Sequence, residues 1–316
     1  MIRAESSLLY ETYLKDQLPT LWLEKLYTQG YFKLFVPRKY GGLELSLSDG
    51  LEKIFQAGSV HGSLGWSVNL GAGAGFFWSF FEDDVAKELF EPANAVISGS
   101  GLATGSFDGK TVTGRWDKCT GAGYATWFTA NARKEDGSIC SFAIPRERVT
   151  IKPAWDLFAL KATSSYAIEL DGVEVPKGHI FNIGKTRNSY GSYPISKVPF
   201  EPFARLCMLA AFLGMVDCLS KHLLREQSEH EEITSFADSL RDKVNGYRVQ
   251  MLKDAEKIYR ENDKNLTMNI GEISKSIFIL SNELFYYHGM RLANEKTLAH
   301  FAWRDIILAT QHFLLR

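Results

Sequence analysis

The stretch GKTVTGRWDKCTGAGYATWF, residues 109–128, carries the pattern that decides the fold. Two β-prone runs, residues 110–116 and 125–132, enclose a glycine-containing turn. β-Branched and aromatic residues favour strands, and glycine and aspartate favour the turns between strands. Similar short runs recur from about residue 94 to residue 186. This texture predicts a middle β-domain, built as an antiparallel barrel or sandwich.

Helical periodicity flanks the β-domain on both sides. Apolar residues have helical spacing in residues 1–93 and again in residues 187–316. Short polar connections in the second region are typical of an antiparallel bundle. The sequence therefore predicts an α+β chain, mostly α, with an N-terminal helical domain (1–93), a β-domain (94–186) and a C-terminal helical bundle (187–316). The bundle helices are predicted near residues 201–228, 232–262, 267–293 and 297–315.

Composition excludes several classes of partner. The 316 residues include 36 basic and 37 acidic side chains, so no basic excess favours nucleic acid or an anionic membrane. No apolar run approaches the roughly 20 residues that a membrane span needs. The four cysteines form no C-x-x-C pair and the histidines lack ligand spacing, so no metal site is predicted. A reduced, cytoplasmic setting is the default expectation.

Six collinear stretches together are more specific than any one alone. They are a proline-then-YGG turn (35–46), an S-x-x-W helix (62–71), the stretch 109–128, a segment ending in V-x-V-P (157–181), an R-x-x-x-x-A-x-x-x-G helix (203–214) and FAWRDIILATQHFLL (301–315). In this order they resemble the acyl-CoA dehydrogenase superfamily. The resemblance implies a flavin held between the β-domain and the helical bundle.

Within that superfamily, the middle stretch resembles the reduced-flavin aromatic hydroxylases more closely than the dehydrogenases. The hydroxylases carry G-R-W, then a small hydroxyl residue followed by glycine, then a tryptophan. Here these are residues 114–116, Thr120-Gly121 and Trp127. Dehydrogenases place a tryptophan where Lys118 stands and usually an asparagine where Gly121 stands.

The resemblance implies a flavin contact at the turn. The Thr120 hydroxyl is suited to the N5 or O4 edge of the ring, and Gly121 lets the backbone approach the ring closely. Trp116 packs either the flavin slot or the β-core. A second turn is expected to contact the flavin, unless its residues only serve turn chemistry; these are Thr163, Ser164 and Ser165.

His312 is the predicted catalytic residue. It lies eight residues after Arg304, the spacing at which the hydroxylases place a substrate-activating histidine, and imidazole accepts protons near neutral pH. The two positions of the dehydrogenase base are occupied by Phe313 and Ala204. Glu201 is displaced from the second position by about one helical turn.

These features predict a flavin-dependent oxidoreductase, most like the two-component monooxygenases that act on a small aromatic or related substrate. Arg205 is predicted to bind the substrate or to anchor its helix. Segments 223–232 and 286–295 lack the loops with which relatives hold FAD, so FAD, FMN and a loosely bound reduced flavin all stay open.

The resemblance also implies partners: a separate flavin reductase or electron-transfer protein, and further copies of the chain in a homodimer or homotetramer. Two alternatives remain at this point. One is an acyl-CoA dehydrogenase with Glu201 as its base, and the other is a non-catalytic homologue that keeps the fold as a binding or assembly module.

Overall fold

The N-terminal part of the protein is helical, as its periodicity predicts. The structure is a computed structural model that describes residues 6–191, 193–261, 263 and 265–316. Ser46 caps one of the first helices by accepting a hydrogen bond from the backbone N–H of Asp49. The five helices here are α1 (Ser6–Leu14), α2 (Thr20–Thr28), α3 (Leu47–Gly58), α4 (Gly62–Gly75) and α5 (Asp83–Phe90).

A seven-stranded sheet follows, in the order β5-β6-β2-β1-β3-β4-β7. β3 and β4 pair antiparallel and form a hairpin around Asp136-Gly137. The strands are β1 (Ile97–Phe107), β2 (Thr111–Cys119), β3 (Trp127–Lys134), β4 (Ile139–Pro145), β5 (Thr150–Lys152), β6 (Tyr166–Glu174) and β7 (Ile180–Phe181).

The sheet is mixed, and in this respect the expectation of a purely antiparallel domain is wrong. β1 pairs antiparallel with β2 but parallel with β3. After β2, residues 120–126 cross to the other side of β1, so that Trp127 pairs beside Ile97. β3 therefore runs in the direction of β1. This crossing places the Thr120 turn at the end of the sheet that faces the helices.

The C-terminal part is a bundle of long helices. These are α6 (Phe200–Glu226), α7 (Glu231–Glu261), α8 (Ile270–Leu292) and α9 (Leu298–Ala309), followed by a 3-10 turn at Phe313–Leu315. Contrary to the expectation from the sequence, α6 is long and apolar enough to span a membrane by length and composition, but 83% of its most apolar stretch is buried inside the protein. It packs against α3, α4, α7 and α9 and so forms the centre of the core.

Glycines allow the central helices to approach closely. A Cβ on Gly65 of α4 would lie 2.4 Å from the Cα of Gly58 on α3. A Cβ on Gly214 of α6 would lie 2.4 Å from the Phe55 carbonyl oxygen. Side chains at these positions would push the three helices apart. The order of helices, sheet and bundle predicted from the sequence is confirmed. α4 packs against β1 and the Thr120 turn, and α9 contacts the turn at residues 158–160.

Candidate active site

Side chains from α4 and two turns of the β-domain form a continuous buried hydrogen-bond chain. The Trp66 indole N–H donates to Thr120 Oγ1 at 3.2 Å. Thr120 Oγ1 lies 2.8 Å from Ser165 Oγ, and Ser165 Oγ lies 2.8 Å from Thr163 Oγ1. Thr163 Oγ1 donates to the Leu160 carbonyl at 2.7 Å. The residues that the resemblance assigned to two separate turns are thus in direct contact.

Unusual backbone conformations surround this chain. Three non-glycine residues near it, Lys118, Leu160 and Ser164, have φ angles of 60°, 52° and 48°, and Gly121 has a φ of 82°. Non-glycine residues rarely adopt such angles, because the side chain then crowds the backbone. Strained residues persist where surrounding contacts hold them, and they cluster at functional sites.

Backbone bonds tie the two turns together. The Gly121 N–H donates to the Thr163 carbonyl at 2.9 Å, and the Ala122 N–H donates to the Ser164 carbonyl at 3.1 Å. The Arg146 guanidinium donates to the carbonyls of Ala122, Gly123 and Ala125. Sequence reasoning missed Arg146, whose only signal was its place directly after Pro145 at the end of a strand.

Trp116 and Ser164, two of the residues predicted to contact the flavin, lie outside this hydrogen-bond chain. Trp116 is 1% exposed, donates its indole N–H to the Asn131 carbonyl and packs against Phe142 in the β-core. Ser164 turns its hydroxyl away from Thr120 and donates to the Asp16 carbonyl at 3.3 Å. Trp116 therefore fills the β-core, the alternative considered for it, and the Ser164 hydroxyl anchors the turn to the α1–α2 connection.

His312 approaches the same chain through Trp66. Its ring is edge-on to Trp66, with centroids 5.4 Å apart, and stacks on Phe313 at 4.8 Å. The expectation that it lies on the last helix is wrong, since α9 ends at Ala309 and His312 caps the following 3-10 turn. Its Nδ1 accepts a hydrogen bond from the Leu314 backbone N–H at 3.3 Å.

That bond determines what His312 can do chemically. Burial lowers the pKa of the His312 imidazole to about 4, so the ring is neutral at pH 7. A neutral imidazole that accepts at Nδ1 carries its proton on Nε2. In this tautomer Nε2 is a hydrogen-bond donor. The proton-accepting role predicted from spacing requires the other tautomer, in which Leu314 loses its acceptor.

Asp305 connects α9 to Leu160, the residue at the accepting end of the hydrogen-bond chain. Its Oδ1 accepts from the Leu160 backbone N–H at 2.7 Å, and Leu160 in turn accepts from Thr163. Asp305 is 2% exposed, and burial raises the pKa of its carboxyl to about 7. Arg304 contacts the Phe158 carbonyl and ring. The Arg304-Asp305 pair thus anchors the last helix to the β-domain.

Arg205 lines a cavity of about 590 Å³ at the start of α6. Glu201 and the apolar residues Pro202, Leu266 and Met268 line the same cavity. One Arg205 Nη donates weakly to the Arg316 carbonyl at 3.5 Å, and Arg205 Nε is buried with no partner among the described residues. This guanidinium therefore has donor capacity left for a ligand. The described part of the chain contains no cluster of three or more His, Cys, Asp or Glu side chains that could hold a metal.

No protein-family model matches the chain. Comparison with characterised proteins does find relatives. The chain is 27% identical over 217 residues to the flavin-dependent monooxygenase oxygenase subunit HsaA of Mycobacterium tuberculosis, over 63% of this chain and 54% of that protein. It is 28% identical over 194 residues to a pigment production hydroxylase of Rhodococcus sp., over 57% of this chain and 50% of the relative. The chain thus spans about half the length of these relatives.

Solved structures extend the similarity to nearly the whole chain. The 3-HSA hydroxylase of Rhodococcus sp. RHA1 matches with a TM-score of 0.86 and 18% identity, over 98% of this chain and 89% of the other. XiaF from Streptomyces sp., solved with FADH2 and glycerol, matches with a TM-score of 0.84 and 18% identity, over 98% and 88%. The protein therefore has the acyl-CoA dehydrogenase-like fold of these solved structures, and the HsaA relative found by sequence is a flavin-dependent monooxygenase. The resemblance seen in the sequence is confirmed.

Proposed function

We propose that the chain is the oxygenase component of a two-component flavin-dependent monooxygenase that hydroxylates a small aromatic substrate. The observation that carries the proposal is the junction of Thr120, Ser165 and Thr163 with Trp66 and His312. At this junction the Thr120 hydroxyl is held in place by hydrogen bonds and is suited to contact the edge of a flavin ring. The neutral His312 imidazole lies on the other side of the Trp66 ring. The monooxygenase relatives support it.

The residues at the turn fit the ring of a flavin. Thr120 is 8% exposed, and its hydroxyl is held by hydrogen bonds to Trp66 and Ser165. Gly121 carries no side chain to keep a ring away from the backbone. When bound, reduced flavin supplies the electrons that activate dioxygen for transfer of one oxygen atom. The cofactor would be FAD or FMN, loosely held, because the FAD-binding loops of the relatives are not recognisable in this chain. XiaF was solved with FADH2.

The chain's own residues would then orient the substrate and keep water out. His312 donates from Nε2 to an oxygen of the substrate, such as a phenol, and holds it in place. Trp66 is 9% exposed and closes the space between His312 and Thr120. Arg205, which lines the cavity at the start of α6, would supply a positive charge for a polar group of the substrate.

The partners follow from this assignment. A separate flavin reductase would deliver the reduced flavin, and further copies of the chain would form a homodimer or homotetramer. An apolar stripe on α8 supports assembly: Ile279, Tyr286, Tyr287 and Met290 are 48%, 82%, 74% and 90% exposed. The four cysteines are buried free thiols, which suits the cytoplasmic location that we also propose.

The test is an oxygen-isotope assay. The protein is mixed with a flavin reductase, NADH, flavin, ¹⁸O-labelled dioxygen and a panel of phenols. We expect one labelled oxygen atom in a hydroxylated product. Oxidation of an acyl-CoA without oxygen incorporation would instead support the dehydrogenase alternative with Glu201. No flavin binding and no product with either substrate class would support a binding module.

A further inference from the structure

The hydrogen-bond chain from Trp66 to Leu160 has chemically distinct ends. An indole N–H can only donate, and a carbonyl oxygen can only accept. Between them lie the three hydroxyls of Thr120, Ser165 and Thr163, each with one proton to give. These side chains are 8%, 3% and 0% exposed, so water offers them little alternative partner.

The two ends determine the direction of every bond in the chain. Thr163 donates to the Leu160 carbonyl at 2.7 Å, which uses its only proton. Ser165 must therefore donate in its 2.8 Å contact with Thr163. Thr120 must then donate in its 2.8 Å contact with Ser165, while it accepts from Trp66. The reverse order would cost the bond from Thr163 to Leu160 in a buried site.

Thr120 consequently keeps one open lone pair and has no proton to give. Thr120 is also the most exposed of the three residues. We propose that this one-way chain makes the flavin site complementary to reduced flavin, whose N5 carries a proton, and not to oxidised flavin, whose N5 can only accept. Ser165 and Thr163 are then positioning residues that set the redox preference without contacting the ring. The inference rests on the proposed flavin site at Thr120.

The chain offers a matched pair of variants. Ser165→Ala removes the acceptor of the Thr120 proton and frees that proton for oxidised flavin. Ser164→Ala removes a hydroxyl of the same kind from the same turn, but that hydroxyl donates to Asp16 outside the chain. Packing changes in the turn should affect both variants, whereas bond direction should affect only the first.

The experiment measures dissociation constants for oxidised flavin and, without oxygen, for reduced flavin. We expect the wild-type protein and Ser164→Ala to favour the reduced form. In Ser165→Ala that preference should fall by about tenfold, the size of one hydrogen bond. The midpoint potential of the bound flavin should fall correspondingly by about 30 mV. An unchanged preference in Ser165→Ala, or an equal fall in Ser164→Ala, would overturn the proposal.

A second variant covers the possibility that Ser165→Ala does not fold. Thr163→Val keeps the shape of the side chain but removes the acceptor of the Ser165 proton, so the preference for reduced flavin should again fall. Thr163→Ser should restore it. Identical preferences in the Val and Ser variants would contradict the proposal. If wild-type protein binds neither form of flavin, the proposed function itself fails, which is a different result.

Discussion

The two ends of the candidate site are built differently. At the turn end, each hydroxyl of Thr120, Ser165 and Thr163 is buried and bonded on both sides, and backbone bonds join the two turns. At the other end, His312 lies beyond the last helix, and its side chain makes one hydrogen bond at 3.3 Å. Its neighbour Phe313 is 71% exposed. The contrast suggests a rigid end that holds the cofactor ring and an adjustable end that accepts the substrate.

The largest expected effect separates these two roles. His312→Ala should lower the rate of hydroxylation by about 10²–10⁴, the usual cost of losing a catalytic hydrogen-bonding or proton-transfer group. Flavin affinity should stay within about twofold, because the His312 ring reaches the hydrogen-bond chain at Thr120 only through the Trp66 ring. Single-turnover product formation measures the first quantity and anaerobic titration the second. If His312→Ala lowered flavin affinity as much as it lowered the rate, the roles of the substrate end and the cofactor end of the site would not be separate.

Acid should destabilise the protein through its buried histidines. The hydroxyls of Thr120, Ser165 and Thr163 do not titrate between pH 7 and pH 4, so they should not contribute to this effect. Burial, with the neighbouring charges of Arg225 and Lys221, lowers the pKa of His222 to about 4. Because the folded-state pKa lies below the 6.5 of a free imidazole, the stabilising contribution of the neutral His222 ring is complete above pH 6.5. That contribution is lost as the pH falls towards 4. For His222 the loss amounts to about 3 kcal/mol.

Chemical unfolding between pH 7 and pH 4 checks this expectation. The free energy of unfolding of wild-type protein should fall with pH across that window. In His222→Gln the free energy of unfolding should fall less steeply with pH, by the slope that corresponds to about one proton taken up on unfolding. Parallel curves for the two proteins would show that His222 is not the group responsible.

A smaller effect tests the rigid end directly. Thr120→Val keeps the volume of the side chain but removes the hydroxyl, so reduced flavin should bind about tenfold or more weakly. Thr120→Ser retains the hydroxyl and should bind within a few-fold of wild type. Isothermal titration without oxygen gives both constants. Equal affinities for the Val and Ser variants would mean that the hydroxyl does not contact the flavin.

The smallest effect concerns the backbone of the turn. Gly121 and Gly137 have φ angles of 82° and 80°, and a Cβ on Gly121 would lie 3.2 Å from the Tyr124 ring, whereas Gly137 has open space. Both alanine variants should lose about 1 kcal/mol of stability from backbone strain. Only Gly121→Ala should also weaken flavin binding. Equal flavin affinities in the two variants would argue that the turn tolerates displacement.

The sequence predicts the rigid end better than the adjustable end. The spacing of apolar residues was sufficient to predict the order of helices, strands and helices, because each element must bury one apolar face and so repeats its apolar residues with its own period. The Thr120-Gly121 pair and the Thr163–Ser165 turn were found through their resemblance to known turns. The opposite directions of Ser164 and Ser165 could not be predicted, since they depend on the positive φ of Ser164.

Other features depend on long-range contacts that no local pattern shows. The parallel pairing of β1 and β3 depends on where residues 120–126 cross the sheet. Trp66 was visible as part of a motif, but its bond to Thr120 joins residues 54 positions apart. The end of α9 at Ala309 was missed because the apolar pattern continues through Leu315.

The most direct test of the central claim is an anaerobic equilibrium titration of the wild-type protein with reduced FMN and reduced FAD. The claim is that the Thr120 turn holds a flavin ring. We expect saturable binding of at least one of these flavins, and a weaker complex with the same flavin after oxidation. Absence of saturable binding for both flavins at high protein concentration would contradict the account.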